Sequence, residues 1–133
     1  MKPTTPEQLA KCYGTFIADL DIISRVLPAV NIWLQTNLPE ISLVYKLNTS
    51  LFIVYKATIK SFPKLRTLPK GSDYPVGWNK YAVKYNSDVE EAWNAVAIDL
   101  KSALSCAGVD PSKIETIVAS FNKLKPRPAP MPK

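Results

Sequence analysis

Proline placement constrains this chain more than any other feature. Twelve prolines stand against four glycines. A proline lacks the N–H that a helix interior needs and its ring clashes with the preceding turn, so each one marks a boundary. Several mark a beginning. Thr5-Pro6-Glu7-Gln8 reads as an N-cap, a proline at the first helical position, an acid in the first turn and a capping-box glutamine; Asp110-Pro111 repeats the cap-plus-proline signature. Pro28 and Pro39 break the first third of the chain. The closing run Lys125-Pro126-Arg127-Pro128-Ala129-Pro130-Met131-Pro132-Lys133 is incompatible with regular helix or sheet and reads as an extended, polyproline-like tail, mobile unless bound.

Between these stops the apolar residues recur at helical spacing. Leu9, Cys12, Tyr13, Phe16, Ile17, Leu20 and Ile23 predict a helix from Pro6 to about Val26, and Val30, Trp33 and Leu34 a short one over Ala29–Asn37. The stretch Glu40–Phe62 admits two readings. As a helix it carries a broad stripe from Ile41 to Phe62; as strands, Ile41–Leu47 and Leu51–Ile59 flank Asn48-Thr49-Ser50 as a hairpin. The helix is favoured, because the triplet lacks the Asn-Gly or Asp-Gly of a tight turn. Pro63 to Asn79, with Pro63, Pro69, Gly71, Pro75 and Gly77, reads as a long loop, and a short helical piece over Trp78–Tyr85 follows. Ser87-Asp88-Val89-Glu90 looks like a second capping box, opening a helix that Gly108 ends, with Glu90 and Glu91 favouring the dipole of its first turn. Ile114, Ile117, Val118, Phe121 and Leu124 predict the last helix. The expected fold is all-α: a bundle of four to six helices with a long central basic loop, residues 1–125 forming one helical domain and 126–133 the Pro-rich tail.

The residue inventory narrows the chemistry. There is no histidine, which removes the usual general base and any Ser-His-Asp or Cys-His arrangement. The glycines, at 14, 71, 77 and 108, cannot form a phosphate-binding loop. Two cysteines are too few for a structural zinc site. Cys12 and Cys106 read first as small buried hydrophobes on apolar stripes, with a Cys12–Cys106 disulfide as the alternative. Asp19 and Asp21, two apart, do not face each other on a helix. No enzyme and no cofactor is expected.

Charge points to a partner. The formal net charge is +6 and is unevenly spread: +4 over residues 63–84, +4 from Lys123 onward, −4 over 85–122. Lys64, Arg66, Lys70, Lys80 and Lys84 interleave with Tyr74, Trp78, Tyr81 and Tyr85, and Lys56 and Lys60 point toward the same region, with Lys46 and Arg25 as weaker candidates. Spaced cations suit phosphate contact, and lysine neutralises charge without the fork that reads a base edge. A basic loop that only keeps the chain soluble, and one that docks an acidic protein partner of a small helical adaptor, are the competing readings.

The second half of the chain resembles a known family. Trp93-Asn94-Ala95-Val96-Ala97-Ile98-Asp99-Leu100-Lys101-Ser102-Ala103-Leu104, then Gly108-Val109-Asp110-Pro111, then Ile114-Glu115-Thr116-Ile117-Val118-Ala119-Ser120-Phe121 is similar in layout to the paired C-terminal helices of the major coat proteins of filamentous and rod-shaped archaeal DNA viruses, the lipothrixvirus and rudivirus type. That resemblance implies an all-helical virion subunit. It also implies double-stranded DNA held in an A-like form, assembly with copies of itself and with a second related coat protein, and a lipid envelope in the enveloped members. The family often places basic residues in an N-terminal segment facing DNA; here residues 1–20 carry only Lys2 and Lys11, so the basic segment 63–84 is expected to share that work.

Overall fold

A computed structural model describes residues 5–47, 49–68 and 73–131. Within them the chain forms helices and no strand: α1 (Pro6–Ser24), α2 (Ala29–Asn37), α3 (Pro39–Leu47), α4 (Ser50–Ile53), α5 (Trp78–Cys106) and α6 (Pro111–Asn122). Local chemistry sets the ends. Thr5 and Gln8 complete the reciprocal capping box, with both bonds at 3.2 Å. Gly108 leaves α5 at φ 76°, in the left-handed region that favours glycine. Among the described residues, no helix is long and apolar enough to cross a membrane.

Three expectations are corrected. Glu40–Phe62 is neither one helix nor a hairpin: α3 and the single turn of α4 are followed by residues 54–62 without regular structure. The stripe looked continuous because Ile41, Phe52, Ile59 and Phe62 are all buried, yet Ile41 belongs to α3, Phe52 to α4 and the other two to the irregular residues after it. Ser87 opens no helix. The chain is already helical from Trp78, and Tyr85, Val89, Ala92 and Val96 continue one buried stripe straight through the supposed cap, so Glu90 and Glu91 lie mid-helix. Third, the cysteines are not simply small hydrophobes: Cys12 and Cys106 are joined in a disulfide, with Cα atoms 5.5 Å apart.

Helix α5 is about 43 Å long at the usual rise and organises the molecule. Its C-terminal half packs against α1, and α6 folds back along it through the Gly108 turn. The pairing of Cys12 with Cys106, and of Asp19 with Asp99, shows that α1 and α5 run antiparallel. Helices α2, α3 and α4 close over α1. Phe121, wholly buried, sits where they meet: it stacks on Trp93 with centroids 4.6 Å apart and takes Trp33 and Phe16 edge-on at 5.1 and 6.0 Å.

The N-terminal half of α5 has a different cover. Phe62 packs on Trp93 at 6.0 Å and Arg66 reaches Tyr81, so residues 62–66 run along one side. Lys125 pairs with Glu90, and Ala129 with Asn86, so the C-terminal segment runs along another. All three tryptophan N–H groups donate to this last part of the chain: Trp33 to Ser120 Oγ, Trp93 to Asn122 Oδ1 and Trp78 to the Pro130 carbonyl. A buried indole N–H without an acceptor costs about 1–3 kcal/mol, so these bonds hold residues 120–130 in register against the body.

Gly14 lies mid-helix in α1 because another side chain needs its space. A Cβ there would come 2.3 Å from the Tyr55 ring, which lies against the helix backbone. Alanine is the better helix former by about 1 kcal/mol, but displacing the ring costs more. Gly14→Ala is expected to lower stability by roughly 1–3 kcal/mol, read as a lower Tm by circular dichroism. An unchanged or higher Tm would mean that Tyr55 yields freely.

Candidate nucleic-acid interface

The basic residues form a group because Tyr81 draws two segments together. Tyr81 is on the first turns of α5, with its hydroxyl aimed at residues 64–66. The Arg66 backbone N–H donates to Tyr81 Oη at 2.8 Å, and the Tyr81 hydroxyl donates to the Lys64 carbonyl at 3.3 Å. The Arg66 guanidinium then lies over the same ring, 4.6 Å from its centroid, a cation–π contact that orients the cation while leaving its N–H groups outward. Tyr81 is itself one step in a run of aromatic rings, Tyr74–Trp78–Tyr81–Tyr85, with successive centroids 6.2, 5.0 and 5.8 Å apart. Burial, and then its neighbour Tyr81, raise the Tyr85 hydroxyl above its ordinary pKa, so it stays neutral here.

Lys80 and Lys84 flank this ring, one helical turn apart on α5 and both exposed. Lys84 reaches Asp88 at 3.1 Å, one turn further on. An exposed pair of this kind contributes about 0.5 kcal/mol or less and is screened by salt, so it holds Lys84 only weakly. Tyr81 thus fastens the backbone that carries Lys64 and Arg66 to the helix turns that carry Lys80 and Lys84, all four exposed.

The other candidates divide. Lys60 is exposed and lines an open cleft with Asp88 and Glu91, but is in no ion pair among the described residues. Lys56 is exposed on residues 54–62, and no ion pair to it occurs among the described residues. Arg25 and Lys46 belong elsewhere. Arg25 bonds Asp21 at 3.0 Å, and Asp21 also accepts from the Tyr45 hydroxyl at 3.0 Å, around a cleft of about 500 Å³ between α1 and α4. Lys46 is exposed in the last turn of α3, next to Tyr45. Lys70 lies outside the described residues.

Sequence reasoning passed over a second polar feature. Asp19, wholly buried, accepts the Thr58 and Ile59 backbone N–H groups at Oδ1, at 2.6 and 3.2 Å, and lies beside Asp99 of α5; Oδ2 of each carboxyl is buried without a hydrogen-bond partner among the described residues. Burial, with Asp99 beside it, pushes Asp19 up to about 7, against the opposing pull of the two N–H groups. The signal was available: Asp19 falls on the stripe of Phe16, Leu20 and Ile23, where a charge is out of place.

Among the described residues no group of three His, Cys, Asp or Glu side chains could hold a metal ion. The group around Tyr81 consists of exposed cations beside a run of aromatic rings, of which Trp78 and Tyr85 are buried. Comparison with protein-family models, with curated proteins and with solved structures found no match to this chain.

Proposed function

We propose that this chain is a structural subunit that polymerises helically around double-stranded DNA in a virion, neutralising phosphates without reading sequence. The observation that carries the reading is the Tyr81 cluster. Lys64 and Arg66 come from one segment and Lys80 and Lys84 from another, and one tyrosine hydroxyl with bonds at 2.8 and 3.3 Å fastens the two together. A basic loop serving only solubility has no need of such a fastening. Three of the four cations are lysines, which act on phosphate as point charges, and each neutralised phosphate releases counterions.

Polymerisation is supported by apolar surface on another part of the molecule. Leu43 and Leu47, one turn apart on α3, are 61% and 79% exposed, and Ile53 and Val54 just beyond are 76% and 77% exposed. Apolar groups this close together and this open suit cover by a neighbouring copy or a related coat protein, and contact between unlike faces extends into a filament. Lipid outside the assembly is the other cover that the resemblance implies.

The triple variant Lys64→Ala/Arg66→Ala/Lys80→Ala tests the reading on random-sequence duplex. Removing three phosphate contacts should flatten the slope of log K against log salt by about 2.7 and weaken binding at low salt by tenfold or more, to about the same degree on every sequence. A slope equal to that of the wild type would remove the cluster from the interface. A wild-type chain that stays small with DNA in light scattering would remove the coat reading itself.

A further inference from the structure

The C-terminal segment does not merely lie on α5; it is gripped in a way that defines a recognition site. In Pro126-Arg127-Pro128-Ala129-Pro130-Met131 every second residue lacks an N–H. Asn86 finds one of the N–H groups that remain. Its Oδ1 accepts from the Ala129 N–H at 2.6 Å, and its Nδ2 donates to the Ala129 carbonyl at 3.4 Å, so a single amide side chain reads both backbone groups of one residue. One residue on, Trp78 Nε1 donates to the Pro130 carbonyl at 2.7 Å. The Ala129 methyl is buried, 2% exposed, whereas Arg127 and Pro128 beside it are open to solvent. These are the parts of a groove for proline-rich peptide: a side chain that donates and accepts, an indole that donates to a carbonyl, and a pocket sized for one small residue.

We propose that the N-terminal half of α5 is a receptor groove for an extended peptide with alanine between prolines, and that in the assembled state it takes this segment from a second copy. The occupant is the segment already seated there. Every polar contact it makes beyond Lys125 goes from the groove to its backbone, and none depends on which chain supplies it. The link back to the body is only residues 123–128, leaving α6 at Asn122. An exchanged segment therefore keeps the contacts made within one chain, and concentration alone decides between the two. The exchange rests on the assembly reading; the groove does not, and neither depends on DNA.

Two full-length variants separate groove from ligand. Ala129→Arg expels the chain's own segment and leaves the groove intact, while Asn86→Ala spoils the groove and leaves the segment intact. A fluorescent synthetic peptide of residues 123–131 is expected to bind Ala129→Arg saturably in anisotropy. It should bind the double variant Asn86→Ala/Ala129→Arg at least tenfold more weakly, and the same loss is expected when leucine replaces alanine in the peptide. Mixing Ala129→Arg with Asn86→Ala should give a heterodimer in light scattering, although each alone is monomeric. Ala129→Glu repeats the set with the opposite charge, should the arginine variant fail to fold. Unsaturable peptide binding, or equal binding to the double variant, overturns the groove. Saturable binding with no heterodimer overturns the exchange. Duplex affinity and salt slope should match wild type in Asn86→Ala, which changes no charge, so failure here is distinct from failure of the DNA reading.

Discussion

Reducing the Cys12–Cys106 bond is expected to lower Tm by roughly 10–15 °C, with the Cys12→Ser/Cys106→Ser variant melting at the same reduced temperature. The bond joins the second and third turns of α1 to the last turn of α5 across a sequence separation of 94 residues. Closing so long a loop removes conformational entropy worth about 4–5 kcal/mol from the unfolded chain, a large share of the total stability of an ordinary domain. Calorimetry with and without a phosphine reductant measures it. Helix content at 20 °C should not change, because the capping box, the Gly108 turn and the Phe121 cluster do not involve either cysteine. Duplex binding should not change either: Tyr81 and Cys106 are 25 residues apart on one helix, about 37 Å at the usual rise. Oxidised and reduced forms that melt within about 2 °C of each other would show that the α1–α5 pairing already restricts the unfolded ensemble without the bond.

The second large effect is on pH dependence, and its sign is opposite to that of a salt-bridged carboxylate. Asp19 is raised from 3.8 to about 7 by burial and by Asp99, so the folded chain prefers it protonated. The stability contributed by that proton is fully present below the unfolded value of 3.8 and is lost as pH rises through about 7. No cation faces Asp19 to reverse this: Asp99 is the one charged group acting on it, and residues 58 and 59 offer only backbone N–H. This group's contribution to Tm is therefore expected to fall from about pH 4 to about pH 7 and to level off above that. Asp19→Asn keeps an oxygen for the Thr58 and Ile59 N–H groups and removes the titrating charge beside Asp99. This variant should show a flat profile over the same range and exceed wild type at pH 8.5. Asp19→Ala, which strands the two N–H groups, should be roughly 2–4 kcal/mol less stable than Asp19→Asn at every pH. Parallel profiles for wild type and Asp19→Asn would mean that Asp19 holds no proton in the folded chain over this range.

Helix ends were readable where the signal was a residue acting on its near neighbours. Thr5 with Gln8, Pro111 after Asp110 and Gly108 at positive φ each work within four residues, and each terminus lies where those residues put it. Ser87 carried the same kind of signal and failed. A cap is worth about 1 kcal/mol, and the buried stripe from Tyr85 to Val96 outweighs it by continuing the helix. The basic cluster was half legible. The cations and the interleaved aromatics of residues 64–84 were plain, but nothing local showed that the Tyr81 hydroxyl would fasten the backbone of residues 64–66 to the start of α5, or that Lys60 would line a cleft with Asp88 and Glu91.

Proline stops, capping residues and a 3.6-residue apolar period were enough to make this chain helical and to place most of its breaks, because those forces act over a turn or two. Which distant residues meet was a matter of packing. Antiparallel docking of α1 on α5 puts Cys12 opposite Cys106 and Asp19 opposite Asp99, and the return of residues 123–131 along α5 puts Ala129 in the grip of Asn86. Each of these pairs spans more than 40 residues, and partners that far apart are selected by the burial of whole helix faces, a quantity that no window of neighbouring residues contains.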